Sequence, residues 1–544
     1  MTPNVPSAAG EFEALERQVV DHFFELYPNW AVSLGLHEYD GRLPLVSRAS
    51  TDRWVGGAEA LLQRLSVIDV RDDANRSIDR FLLQLLLEGP RFDLKDLGEF
   101  DRNPMVHLGS LSLTSYVARD YAPITQRVEG LVQILDAIPE HLAEARRRLG
   151  AKLPRPFLQL AISMGRGLPA HFLEAEEFAA KADPLLGAQV AKVRRPAEAA
   201  ITAFLAHLQD DLLPQSTEDF ALGPLRFQRL LFVREGLETP FAEIEKTGWV
   251  DLKRNQARLA EIAAAEHSSK DTLFERLRQD HTSAADLIPT AQAEVEFTRR
   301  FVQDRELVSI PDPANCKVEE TPAWGRALST ASMDSPGPFD TSSGQGIYYV
   351  TPVDTKWSAK EQEEWLRSLN RTMLRNITVH EVFPGHFLQF LHLRQSSGSL
   401  SRKVFMSPSF VEGWAHYCEQ LVIEQGMGGR GTSDEVAQIH DALLRDCRLI
   451  ASVGLHTRGL SVADATRLFE TEAHFEHLPA EREAVRGTFN PEYFCYTLGK
   501  LAILQARSKH LEPRFGGSLL RFHDTLLGFG CPPIGLFDRL LAPV

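Results

Sequence analysis

Positive charge is what this sequence has least to spare. Lysine and arginine number 59 against 74 aspartates and glutamates, a formal net charge of −15 over 544 residues. A general nucleic-acid binder needs a basic face to displace its partner's counterions, so that class is set aside. Cysteine is scarce as well. Cys316, Cys418, Cys447, Cys495 and Cys531 are odd in number, widely spaced and contain no CxxC. They read as reduced thiols of a cytoplasmic protein rather than a disulfide framework. Long apolar runs are missing. The most apolar stretch, Phe81 to Leu87, is interrupted by Gln84 and bounded by Arg80 and Glu88. A membrane span needs about 20 such residues, so no membrane partner is expected. The opening MTPNVPSAAGEFEALERQ has no basic stretch leading into an apolar one, which predicts no signal peptide. There is no GxSxG, and the cysteines have no clear catalytic partner, which disfavours a nucleophilic hydrolase.

What is present is a core and a great deal of helix. Hydrophobic residues make up 43% and charged residues 24% of the chain. From Glu11 to Leu26, Phe12, Leu15, Val19, Phe23 and Leu26 recur at helical spacing. Residues 128–149 and 189–213 behave similarly, with breaks at Pro28, at Gly41 to Pro44, at Pro154 to Pro156 and at Gly223-Pro224. The texture changes after Leu307, where proline and glycine multiply. Gly346-Ile347-Tyr348-Tyr349-Val350 is the best strand signal in the chain. The expectation is a mainly α protein. It has an N-terminal helical region, 1–307, and a second region, 308–544, with a small sheet near residues 325–355. The two could equally form one body with a cleft between them. Arg146 to Arg148 read as a solvated helix face, and Gly426 to Gly431 as a helix end followed by a flexible turn.

The chemistry concentrates in NITVHEVFPGHFLQF, from Asn376 onward. His380 and Glu381 are adjacent and His386 follows six positions after His380. Zinc hydrolases commonly place the second histidine four positions after the first, which puts both imidazoles on one helix face. At ~100° per residue, positions six apart diverge by about 120°. Pro384 and Gly385 offer a remedy. Proline cannot donate to the carbonyl four residues back, and glycine tolerates almost any backbone conformation. A two-residue excursion there would return His386 to where an i+4 histidine lies. A third ligand is expected from PSFVEGWAHYCEQLVIEQGM, where Glu412, His416 and Glu419 share a helix face. Glu412 would complete a His, His, Glu site. Glu419 would support a histidine ligand from behind, and His416 would touch substrate or act in the same supporting layer. The strand at 346–350 would serve extended peptides as an edge, with at most one of Tyr348 and Tyr349 facing the substrate.

At these residues the sequence resembles the DUF885 family, long helical proteins placed near the zinc metallopeptidases. The likeness rests on HEVFPGHFLQ at 380–389, EGWAHYCEQL at 412–421, YTLGKLAILQAR at 496–507, FHDTLLGFGCPP at 522–533 and YPNWAVSLGLHEYDGRLP at 27–44. VEGWAHYCE is also similar in layout to the glutamate-bearing helix of thimet-type oligopeptidases. The resemblance implies a large helical, gluzincin-like body with a deep central cleft. It implies His380, His386 and Glu412 as metal ligands and Glu381 as general base. It matches Tyr496 to a tyrosine that could reach a tetrahedral intermediate. His456 sits in a motif where relatives carry an aspartate four positions earlier; here that position is Ser452. Relatives often have a second histidine directly after the motif, and here Phe387 stands there, which excludes a ligand at that position.

The expected function is therefore that of a zinc-dependent hydrolase. It would cleave an amide bond, in a short peptide, with one Zn2+ activating water. Tyr496 and His456 would stabilise the oxyanion, with Lys500 and His523 as weaker candidates. The alternatives are a metal-dependent hydrolase of a small-metabolite amide or ester, and a non-catalytic helical binding protein.

Overall fold

The alanine-, leucine- and glutamate-rich stretches fold as helices, because such residues lose little rotamer freedom there. The computed structural model describes residues 8–70, 73–322, 325–326, 329–341, 344–429 and 431–542. It divides into two compact units. The first comprises Met1–Phe220, Gly337–Ser342 and Ser399–Phe405; the second comprises Ala221–Pro336, Ser343–Gly398 and Met406–Val544. The change of texture at residue 307 thus falls inside the second unit. The helices between 221 and 304 pack on the later ones, and the chain divides by packing near Gly223-Pro224, which the sequence marks only as a break.

The first unit is helical. Its long members are α1 (Ala8–Leu26), α2 (Arg48–Val67), α3 (Ala74–Phe92), α4 (Ile124–Arg148), α5 (Arg155–Ala182) and α6 (Pro184–Ala206). Helix α1 buries Phe12, Leu15, Val19, Phe24 and Leu26, so its apolar face lies on Phe24 rather than Phe23. Ser399–Phe405 joins this unit through Arg402, whose Nε donates to Asp79 at 2.6 Å, and through the Ser401 amide, which donates to Glu16. Of the basic run, Arg147 pairs with Glu140 and Glu144 and Arg148 with Asp101, so it is an ion-paired face.

The second unit holds α7 (Phe241–Ala265), α8 (Leu287–Asp304), a small sheet, α9 (Arg371–Glu381), α10 (His386–Gln395), α11 (Pro408–Glu424), α12 (Ser433–Thr457) and α13 (Cys495–Phe515). Strands β1 (Cys316–Glu320), β2 (Ala331–Asp334) and β3 (Gly346–Val350) form a sheet of order β1-β3-β2. Strand β1 runs parallel to β3 with Cys316 opposite Gly346; β2 runs antiparallel with Ala331 opposite Val350. Two expectations change here. The sheet begins at Cys316, upstream of 325: CKVEE carries no β-branched run to signal a strand, and it is one through its pairing with β3. And β3 is the central strand, its backbone taken up on both sides, so it offers no edge to a peptide.

Three devices position the helices that matter. Arg375 of α9 is buried and pairs with Glu294 of α8 at 2.8 Å and with Asp434 of α12 at 3.2 Å, its guanidinium carbon 4.4 Å from the centre of the Phe297 ring. Helices α11 and α13 cross at glycines: a Cβ on Gly499 would stand 1.7 Å from the Ser409 carbonyl oxygen, and one on Gly413 2.4 Å from the Gly499 Cα. Only glycine permits that approach. Finally, Gly346 makes room for Phe387 of α10, whose ring would lie 2.5 Å from a Cβ there. Phe387 is thus buried against the sheet, which accounts for a phenylalanine after His386.

Candidate metal centre

Helix α9 starts on Asn370, whose side chain accepts from the Met373 amide, and ends at Glu381. Val382 leaves the helix at φ −118° and ψ −80°. The next residues are a tight excursion through a cis Phe383-Pro384 bond to Gly385, whose amide returns to the Val379 carbonyl at 3.0 Å. A Cβ on Gly385 would lie 1.8 Å from the His380 carbonyl oxygen, so glycine alone fits. Helix α10 then begins on His386. The loop is fastened to α11: Trp414 Nε1 donates to the Pro384 carbonyl at 2.9 Å, and Cys418 Sγ reaches the same oxygen at 3.6 Å.

Three side chains converge as a result. The rings of His380 and His386 lie 4.8 Å apart, nearly perpendicular at 87°. The Nε2 of each stands 3.5 Å from Glu412 Oε2. One donor atom from each of the three lies within 4.8 Å of the others, and this is the metal-competent cluster among the described residues. Two imidazoles and a carboxylate are a donor set that zinc accepts. His386 Nδ1 is buried without a hydrogen-bond partner among the described residues, so the polar edge of that ring is spent toward Glu412.

Behind His380 lies a charged support. Its Nδ1 is 2.7 Å from Glu419 Oε1, and Glu419 Oε2 accepts from Arg445 at 2.7 Å and meets His416 Nδ1 at 3.1 Å. A carboxylate on Nδ1 fixes the proton there and leaves Nε2 as the lone-pair donor facing Glu412. Burial opposes charge on His380, yet Glu412 and Glu419 outweigh it and raise its pKa to about 10. Burial would raise Glu412, but the two imidazoles hold it well below the usual carboxylate range. A divalent cation between the rings would replace that proton. Burial, with Lys500 near, lowers His416 to about 3, so this ring is neutral.

The other expected residues divide. Tyr496 joins the site: its ring is 6.5 Å from that of His380, with Arg445 and Arg448 within 5.6 and 5.1 Å of its centre. Burial pushes its phenol up to about 12. Glu381 ends α9, partly exposed beside His380. Tyr348 is fully buried, its hydroxyl 3.4 Å from Thr378 of α9, so it packs beneath the site instead of facing a substrate. Tyr349 is buried too. His416 is fully buried and touches Glu419, in the supporting role. His456 is not brought in: its Nε2 meets the Gly487 carbonyl at 2.8 Å and its ring stacks on Phe227. Ser452, in place of the relatives' aspartate, donates to the Pro491 carbonyl. Lys500 is buried on Asp251, and His523 bridges Tyr417 and the Leu307 carbonyl, so both are structural.

Sequence reasoning missed Arg445 and Asp441. Asp441 accepts from Asn376 of α9 at 2.7 Å and lies 3.8 Å from Arg445. Asp441, Arg445, Arg448 and Ser452 do recur at helical spacing along α12, but that helix carries other polar residues too, so the spacing alone does not mark a site.

The family described as "Bacterial protein of unknown function (DUF885)" matches residues 28–541. Among solved structures, one described as "a putative lipoprotein of unknown function from Shewanella oneidensis" is 22% identical, with a TM-score of 0.79 over 98% of this chain and 100% of that one. Another, "the putative lipoprotein from Colwellia psychrerythraea", is 16% identical, with a TM-score of 0.80 over 98% of this chain and 99% of its own. At those identities the likeness is one of fold. No curated protein matches. No helix among the described residues is long and apolar enough to cross a membrane.

Proposed function

This chain belongs to the DUF885 family, and we propose that it is a metal-dependent hydrolase that cleaves an amide bond in a peptide. The observation that carries the reading is the meeting of two imidazole Nε2 atoms on one carboxylate oxygen, with a glutamate next in sequence to the first histidine. His380, His386 and Glu412 would hold the ion, zinc by preference, with manganese, cobalt or iron compatible with the same donors. Bound there, the ion would supply the Lewis acidity that polarises a water molecule and the scissile carbonyl. Glu381 takes a proton from the attacking water and delivers it to the departing amine as the C–N bond breaks. Tyr496 keeps its phenolic proton at neutral pH and would donate a hydrogen bond to the oxyanion. Glu419, held as a carboxylate by Arg445, keeps His380 oriented.

The test is elemental analysis of the purified protein beside a screen of short peptides. Glu381→Gln is expected to keep the bound metal and to lose roughly a thousand-fold or more in hydrolysis. His380→Ala, His386→Ala and Glu412→Ala are each expected to lose the metal. Full metal content in all three variants would refute the ligand set.

A further inference from the structure

Helix α9 connects the candidate metal centre to a second feature. Along it Leu374, Arg375, Asn376, Thr378 and Val379 are buried, while Met373, Ile377 and Glu381 are partly exposed. Those three stand at i, i+4 and i+8, one stripe of the helix. At one end of the stripe is Glu381, beside His380. At the other, Met373 lines a cavity of about 650 Å³ within the second unit. With a rise of 1.5 Å per residue, Met373 and Glu381 are about 12 Å apart along the axis. An extended peptide advances about 3.3 Å per residue, so roughly three to four residues span that distance.

The walls of the cavity suit a flat ring. His440 stacks on Phe475 with centroids 5.0 Å apart at 12°, and Phe274 meets His440 edge-on at 5.1 Å. Burial together with nearby Arg278 lowers the pKa of His440 to about 4, so the ring is neutral. Glu275 and Arg367, at the rim, neutralise each other at 2.7 Å. Beyond that pair the lining carries charges of both signs, Arg278 and Lys360 against Glu363, Glu364 and Glu476, around an aromatic wall of Phe274, His440 and Phe475 on which a further ring can pack.

We propose that this cavity is the distal subsite of the metal centre, holding an aromatic side chain of a peptide three to four residues from the bond that is cut. The inference rests on the hydrolase reading and adds to it a minimum length and an aromatic preference.

The experiment uses the full chain loaded with zinc and N-acetylated hexapeptides of alanine and glycine, in which one phenylalanine is moved through every position. The expected result is a kcat/KM optimum with phenylalanine three or four residues from the cut bond, roughly ten-fold above glycine there. Phe475→Ala is expected to abolish that preference. A flat profile, or the same preference in Phe475→Ala, overturns the subsite. If no peptide is cut, the hydrolase reading fails, and a second measurement still decides the cavity. A dansylated phenylalanine hexapeptide should bind Glu381→Gln roughly ten-fold more tightly than it binds the Glu381→Gln, Phe475→Ala double variant. Equal affinities would end the proposal.

Discussion

Each unit buries a pair of histidines, and the pairs look alike until their acids are counted. In the first unit His107 and His141 lie with rings 6.0 Å apart at 67°; in the second, His380 and His386 lie 4.8 Å apart at 87°. All four are buried. His107 turns Nε2 to the Phe100 carbonyl and His141 meets the Ser110 hydroxyl, so both are finished as neutral rings. Burial lowers each to about 4. His380, equally enclosed, is raised to about 10 because Glu412 and Glu419 stand at its two nitrogens. Burial and ring geometry alone therefore say little about function. The deciding element is a carboxylate placed where both rings point.

The largest test of that contrast is metal content. Glu412→Gln, which keeps the volume and removes the charge, should lower affinity for zinc by ~10³-fold or more. His107→Gln should leave zinc binding unchanged in a competition titration. Loss of zinc from His107→Gln would erase the distinction. The next effect is on folding. Arg375→Met leaves Glu294 and Asp434 buried without their cation, and about 3–5 kcal/mol of stability should be lost in urea unfolding. A smaller effect is expected from Glu419→Gln, which removes the support of His380: zinc affinity should fall about 10–100-fold, with the fold intact by circular dichroism.

The smallest effect sharpens the other side of the comparison. The folded-state pKa values of His107 and His141 lie below the unfolded value, so the unfolded chain binds more protons between pH 6.5 and 4. Their contribution to stability is fully present above pH 6.5 and is lost as pH falls through that window. The slope is at most about 1.4 kcal/mol per pH unit for each ring. His107→Gln should flatten the dependence of the urea midpoint on pH between 7 and 4.5. An unchanged slope would mean that His107 is not held neutral.

The sequence disclosed these regions unequally. The cluster His380, His386 and Glu412 was legible because its unusual spacing carries its own explanation, a proline and a glycine at the point where a plain helix fails. Helices were legible from periodicity, and β3 from its aromatic and β-branched run. Strand β1 was not, since its burial comes from partners far along the chain. The place of β3 at the centre of the sheet was hidden for the same reason. Arg445 was invisible as a site residue because its partner Glu419 sits on another helix. His456 was overread: nothing local distinguishes a histidine packed on Phe227 from one facing a reaction.

The bond from Trp414 to the Pro384 carbonyl has a consequence for the order of events in the cell. It staples the turn between the two histidines to the very helix that presents Glu412, so one rigid frame carries all three donors. On the proposed reading, a frame of that kind would be shaped by packing before any cation arrived. Cation supply would then not have to coincide with synthesis, and an exchange of one cation for another would need no refolding.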